Sequence, residues 1–149
     1  MRIARQLVPF LLVLLAAAVI ARAISSPQSS AASAQQSTVE RGRYLVEEVA
    51  KCPECHTPRM ANGDLDRSRW LEGAAIWIMP VHPTSNWAMQ APNLVGFQGF
   101  TEEQGERILE KGVGPNDLPI EPPMHIYHLS HADAVAIIAY LRSLRVSPR

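Results

Sequence analysis

The sequence CPECH, residues 52–56, places the strongest constraint on this chain, because it holds both cysteines and sets a histidine directly after the second. Three kinds of chemistry use a Cys-x-x-Cys pair: thiol–disulfide exchange, zinc binding and covalent attachment of haem. Each of them needs different neighbouring residues. The residues around the motif therefore decide between the three.

Two of these chemistries, and a simple disulfide, fit the surroundings poorly. Thiol exchange places the motif after a strand of a βαβ unit, whereas an amphipathic helical pattern precedes it here. A zinc site needs four ligands. The distant pair His125 and His128 could join the two cysteines, but a zinc site does not require His56 next to them. A disulfide between the two cysteines would close a very small ring. These alternatives stay open beside the third chemistry.

Covalent haem attachment accounts for all three residues, since C-x-x-C-H is its recognised signature. Two thiols on one turn reach the two vinyl groups of the porphyrin as thioethers, and the histidine just beyond is set under the iron. We therefore predict one haem c, bound covalently by Cys52 and Cys55, with His56 as the proximal iron ligand. Covalent attachment also suits an exported protein, because a noncovalent cofactor could be lost by dilution outside the cytoplasm.

The sixth position of the iron decides between an electron carrier and a reactive haem. A methionine thioether there raises the reduction potential and leaves no site for a substrate. Met124 is the best candidate, because Pro122 and Pro123 hold an extended, stiff segment before it and the C-terminal helix follows shortly after. Packing of Met124 in the core is the alternative. The other candidate ligands are Met79, Met89, His82, His125 and His128. For the three histidines, and for His131, the alternative is a solvated surface position.

The N-terminus has the layout of an export signal. Two arginines precede an apolar run at residues 7–20, and the small-residue pattern Ala-Arg-Ala follows at residues 21–23. The run is shorter than the roughly 20 residues that cross a bilayer comfortably, which favours a cleaved signal peptide. The Ser-, Ala- and Gln-rich residues 25–38 favour instead a tether to an uncleaved membrane anchor within residues 7–24.

We predict three segments: a signal peptide or membrane anchor at residues 1–23, a flexible linker at residues 24–38 and one domain at residues 39–149. In either case the positive end stays in the cytoplasm. The domain is then exported to the periplasm or to the outer face of the membrane. Without the three arginines of the first segment, 11 basic residues remain against 14 acidic ones, a formal charge of −3. Such a domain is not expected to bind nucleic acid, which selects clustered Lys and Arg.

Three helical patterns indicate an all-α fold. Residues 39–50 are amphipathic, with one apolar stripe formed by Val39, Gly42, Leu45, Val46 and Val49. A glycine on this stripe suggests that another backbone comes very close there. A second helix is predicted for residues 101–112 and a third for residues 130–144, from their caps and apolar spacing. Between residues 58 and 92 no period holds for long, so we predict a long irregular middle segment.

The glycine-bearing helix, CPECH, the PNL loop at residues 92–94, the late methionine and the closing AYLRSL helix together resemble a class I c-type cytochrome. The resemblance covers about residues 39–146 and is to monohaem domains in dehydrogenase-associated cytochrome subunits and small periplasmic carriers of bacteria. It implies the cytochrome c fold, with three to four helices around a covalently bound haem. It also implies the same thioether bonds and the same two iron ligands.

The resemblance further implies that the first helix of the domain crosses the C-terminal helix at Gly42. The residue above this glycine is then one of three in the C-terminal helix, namely Ile137, Tyr140 or Leu141. Val46 stands where the family usually has an aromatic residue, so the sequence departs from the family pattern at this crossing.

The haem edge is the last feature that the resemblance covers. Residues 91–94 are similar to the loop that lines this edge in the family. Either Trp77 or Trp87 is expected to donate a hydrogen bond to a haem propionate, with plain core packing as the alternative.

These features predict a single-electron carrier and not an enzyme. In such a carrier, the ligands, burial and hydrogen bonds tune the reduction potential of the iron, and an exposed haem edge contacts the partners. The expected partners are redox proteins: a dehydrogenase, a quinol-oxidising complex or a terminal oxidase, bound through small transient contacts. A haem enzyme or gas sensor is the alternative if Met124 does not bind the iron or leaves it easily. A zinc-stabilised binding module is a further alternative.

Overall fold

The computed structural model describes residues 27–145, with side chains from residue 31. The chain divides between Ser37 and Thr38 into two compact units. Its helices are α1 (Pro27–Tyr44), followed by a π-helical turn (Leu45–Val49), α2 (Pro53–His56), α3 (Glu102–Lys111) and α4 (His131–Ser143), with 3-10 turns at Arg67–Arg69 and Val95–Phe97. Two short strands, β1 (Ala74–Ala75) and β2 (Gln90–Ala91), pair antiparallel.

The N-terminal part of α1 differs from the flexible linker expected for residues 24–38. The chain is helical from Pro27 onward, and the side chains of residues 31–37 are exposed. Proline suits the first turn of a helix, and alanine and glutamine favour helix formation, whereas the serines of this segment do not. The expected signal or anchor at residues 1–23 lies outside the described residues. Within residues 27–145, no helix is both long enough and apolar enough to cross a membrane.

A π-helical turn at Leu45–Val49 closes the helix predicted for residues 39–50. Ala50 donates its N–H to the carbonyl of Leu45 at 2.7 Å. Leu45 and Val46 are buried, but Val49 is 53% exposed. The prediction that places Val49 on the buried stripe is therefore wrong, because the wider π turn rotates this residue away from the core.

Gly42 lies where α1 crosses α4. A Cβ atom on Gly42 would stand 2.8 Å from the Cβ of Tyr140 and closer still to the backbone carbonyl of Ala136. The predicted crossing of these two helices is confirmed, with Tyr140 among the expected contacts. Ala136 was not among them, since the contact is made by its backbone and no side-chain pattern reports such a contact. Tyr140 also donates its hydroxyl to Glu47 at 2.5 Å.

The core of the domain is built around α4, against which α3 packs. Leu109 of α3 and Leu71 of the middle segment are buried against it, together with the second 3-10 turn. The buried residues of α4 itself are Ala134, Ala136, Ile137, Ile138, Tyr140 and Leu141.

The predicted boundaries of α3 and α4 are confirmed by their caps. Thr101 and Gln104 form a capping box at the start of α3, and Gly112 ends this helix in the left-handed conformation with φ of 66°. Ser130 accepts a hydrogen bond from the N–H of Asp133 at 3.2 Å and caps α4. The local residue pattern alone sets these ends.

The middle segment contains a short β-hairpin, residues 74–91, that the sequence did not indicate. Ala74 pairs with Ala91 in register, and Ile76 donates its N–H to the carbonyl of Met89 at 3.0 Å. Strands of two residues are too short to give a periodic signal. The described part is otherwise helical or irregular, so the all-α prediction holds except for this hairpin.

Candidate cofactor site

The cysteine motif, Cys52 to His56, forms a single helical turn, called the cysteine turn below, that contains α2 and follows shortly after the π-helical turn. Pro53 occupies its first turn, where proline is favoured. His56 donates its N–H to the carbonyl of Cys52 at 2.9 Å, which closes the turn. Cys52 and Cys55 are free thiols, and both line one cavity. The spacing of the motif thus brings the two sulfurs to the same side of the turn.

The thiols of this turn are protonated near neutral pH. Burial raises the pKa of Cys52 to about 11. Burial and the neighbouring carboxylate of Glu54 also raise the pKa of Cys55, although Arg59 opposes them. Thiol-exchange enzymes need an attacking thiol whose pKa is lowered. The environment of the motif therefore disfavours thiol exchange.

His56 is held by one ring nitrogen, which leaves the other available. The side chain is 7% exposed, and its Nδ1 lies 2.9 Å from the carbonyl oxygen of Pro92. Because only a protonated nitrogen can donate to a carbonyl, Nδ1 carries the proton and Nε2 keeps its lone pair. Burial lowers the pKa of the ring, so it is neutral near pH 7. A neutral, oriented imidazole is a suitable metal ligand.

A cavity of about 560 Å³ is lined by Cys52, Cys55, His56 and Met124. Its volume lies within the range of roughly 300–1,000 Å³ that is usual for cofactor pockets. Its walls come from the hairpin, from α3 and from the segment between α3 and α4. The apolar wall residues include Ile76, Ile78, Ala88, Phe100, Ile108, Leu118 and Ile120. The structure thus places all four candidate residues on one largely apolar cavity.

Met124 lies in a segment that is tied to both sides of this cavity. Ala88 of the hairpin donates its N–H to the carbonyl of Pro122 at 2.7 Å. The hydroxyl of Tyr127 donates to the carbonyl of Ala50 at 3.0 Å, next to the cysteine turn. Burial raises the pKa of Tyr127 to about 12, so the hydroxyl keeps its proton. The two prolines before Met124 lie in a turn with a cis peptide bond between them, not in the extended segment expected.

Most competing ligand candidates lie away from the cavity. Four of them are exposed and do not line it, namely Met79, Met89, His82 and His128. His125 does line it, next to Met124, and its ring contacts the ring of Tyr127 at 6.1 Å between centroids. Among the described methionines, Met124 alone contributes to the lining.

The tryptophans expected near a propionate donate to the backbone instead. The indole N–H of Trp77 donates to the carbonyl of Glu54 at 3.3 Å, and that of Trp87 donates to the carbonyl of Ile78 at 3.2 Å. Neither N–H is free for a propionate, because a carbonyl of the cysteine turn or of the hairpin already accepts it.

The residues present fit a covalently bound haem. Two thiols on one turn, a neutral imidazole with a free Nε2, and a thioether share a cavity whose other walls are mainly apolar. Sequence reasoning found these four residues but missed Pro92 and Tyr127 in their supporting roles. Both act over long stretches of chain, since the partners are 36 and 77 positions apart.

Similarity to known bacterial proteins supports the class of c-type cytochromes, although no family model matches the chain. The fructose dehydrogenase cytochrome subunit of Gluconobacter japonicus is 34% identical over 116 residues, which cover 70% of this chain and 21% of that protein. A diheme cytochrome c-type protein of Cereibacter sphaeroides is 65% identical over 34 residues, which cover 23% of this chain and 12% of that protein. The chain therefore spans only a small part of the length of either relative.

Proposed function

We propose that this chain is a class I cytochrome c with one haem, which carries single electrons outside the cytoplasm. The observation that carries the proposal is the single cavity lined by Cys52, Cys55, His56 and Met124. The chain has only 2 cysteines, so it can attach one haem through two thioether bonds. The names of both relatives support the cytochrome class.

When bound, the haem supplies an iron centre that gains or loses one electron. Cys52 and Cys55 would hold it after each thiol adds across a vinyl group: a sulfur–carbon bond forms, and the thiol proton moves to the other vinyl carbon. His56 would bind the iron through Nε2 while Pro92 holds Nδ1. Met124 would bind through its sulfur.

The surrounding residues suit electron transfer better than catalysis. The apolar walls would limit the access of water to a bound iron, and this environment, together with His56 and Met124, would tune its reduction potential. If His56 and Met124 both bound the iron, no position would be left for a substrate. Tyr127 holds the Met124 segment against the end of the helix that precedes the cysteine turn, so both ligands are positioned by one connected unit.

The electron donor that we propose is a dehydrogenase. Its support is the name of the Gluconobacter japonicus relative, which is a cytochrome subunit of fructose dehydrogenase. A quinol-oxidising complex or a terminal oxidase is the proposed alternative partner. Residues 1–23 would export the domain to the periplasm or anchor it at the outer face of the membrane.

Expression in a host with haem-attachment machinery tests this function. We expect a red protein whose mass is that of the processed chain plus one haem. The ferric form should show the weak near-infrared band of sulfur bound to iron. Met124→Ala should lose this band, whereas Met89→Ala should keep it, because Met89 is 60% exposed and lies outside the cavity lining.

Three results would contradict parts of the proposal. A colourless protein with the mass of the bare chain would refute haem attachment. A near-infrared band that persists in Met124→Ala would refute the distal ligand. Prompt binding of carbon monoxide to the reduced wild type would favour a gas-binding haem protein, since a bound thioether blocks the sixth position.

A further inference from the structure

A second group of potential metal ligands lies on the surface where α3 meets α4. Glu106 and Glu110 are four positions apart on α3 and therefore share one face of that helix. His131 is the first residue of α4. Its Nδ1 lies 2.9 Å from a carboxylate oxygen of Glu110 and 4.0 Å from one of Glu106. One potential ligand atom from each residue lies within 4.8 Å of the other two.

The backbones that carry these three residues are held by the core. Leu129 donates its N–H to the carbonyl of Leu109 at 3.1 Å, which fixes the start of α4 against α3. Leu109 and Ala134 are buried beside the cluster, with 8% and 0% exposure. These contacts hold the two helix backbones in place, so side-chain rotation can adjust the three ligand atoms.

The distances suit a zinc ion. Zinc with nitrogen and carboxylate ligands is tetrahedral with bonds of about 2.0–2.1 Å, which places any two ligand atoms about 3.3 Å apart. The two distances from His131 Nδ1, 2.9 and 4.0 Å, lie on either side of this value. The carboxylate oxygens of Glu106 and Glu110 lie within 4.8 Å of each other, so side-chain shifts of about 1 Å would bring all three distances close to this value. The imidazole is 69% exposed, so water can reach the fourth position.

The charge and ligand type also favour zinc over the hard cations. Two carboxylates and a neutral imidazole compensate the charge of a divalent ion, and imidazole nitrogen is a ligand of zinc but not of calcium or magnesium. The arginines of the same two helices are engaged elsewhere. Arg107 pairs with Asp117 and Arg142 with Glu102.

We propose that Glu106, Glu110 and His131 form a zinc site, with water as the fourth ligand, that joins α3 to the start of α4. This site is separate from the cysteine turn and needs no haem. Because the ion would bind only the folded arrangement of the two helices, zinc should raise the thermal stability of the protein.

Calorimetric titration with zinc chloride tests the site, using the haem-loaded full chain after removal of metals with EDTA and dialysis. We expect one saturable zinc site per chain and a rise in Tm. His131→Ala should weaken zinc binding at least about tenfold, and Glu110→Gln should weaken it while keeping the shape of the side chain. His82→Ala removes another exposed histidine and should bind zinc as the wild type does.

The haem-loaded protein is required because free Cys52, Cys55 and His56 could themselves bind zinc. If haem does not attach, the difference between wild type and His131→Ala still reports on this site alone. Absence of saturable binding up to about 1 mM zinc would overturn the proposal. Unchanged affinity in His131→Ala and Glu110→Gln would overturn it as well, and would mean that only a proton joins the imidazole to the carboxylates.

Discussion

A methyl group at Gly42 would enter the contact between α1 and α4. The added carbon would stand 2.8 Å from the Cβ of Tyr140 and nearer still to the carbonyl of Ala136. Overpacking costs typically about 1–3 kcal/mol. The upper part of that range applies, because a backbone carbonyl moves only with its helix. Alanine has a higher helix propensity than glycine, which offsets about 1 kcal/mol of this cost. We therefore expect Gly42→Ala to lower the free energy of unfolding by about 2 kcal/mol.

Unfolding in guanidinium chloride, followed by far-UV circular dichroism on haem-loaded protein, measures this loss. The proposed covalent attachment would keep the haem on the chain in both states, so its dissociation would not enter the equilibrium. Ser37→Ala is the matched control, since Ser37 is an exposed residue of the same helix. It should change stability by less than about 0.5 kcal/mol. A Gly42→Ala variant as stable as the wild type would refute the close crossing.

Three further outcomes follow from named contacts. Tyr127→Phe should cost about 1 kcal/mol by removing the hydrogen bond to Ala50, and the near-infrared band of ferric protein should then disappear at a lower guanidinium concentration. Thr101→Ala should cost about 1 kcal/mol of unfolding free energy through loss of the α3 cap. Glu110 and Glu106 raise the pKa of His131 in the folded state above its ordinary value of 6.5. The protonated imidazole therefore adds stability to the folded protein below pH 6.5, and this added stability is lost as the pH rises through the pKa of His131 in the folded state. In EDTA, His131→Gln should remove this pH dependence from the stability curve.

The elements that sequence reasoning predicted depend on neighbouring residues. The cysteine turn needs only five consecutive residues, and the ends of α3 and α4 follow from Thr101, Gly112 and Ser130. Each of these signals acts within one or two helical turns, where spacing along the chain equals spacing in the structure.

The parts that the sequence did not indicate depend on backbone atoms or on distant pairs. The carbonyl of Pro92 orients His56, and the carbonyl of Ala50 holds Tyr127, yet every residue has a carbonyl and none marks its partner. The π-helical turn moves Val49 out of the apolar stripe. The sequence pattern could not show this, because a period of 3.6 residues assumes an unbroken α-helix. Such features follow from the packed chain as a whole.

The raised pKa of Cys52 has a consequence for the proposed function, in which the unloaded chain would meet an oxidising compartment before haem is attached. A pKa of about 11 in place of the ordinary 9.0 lowers the thiolate fraction at neutral pH about a hundredfold. The more basic sulfur is intrinsically more nucleophilic, which recovers a factor of about ten, so attack on a foreign disulfide should be about tenfold slower. Folding before attachment would thus delay scrambling of this sulfur and keep it available for its bond to the porphyrin.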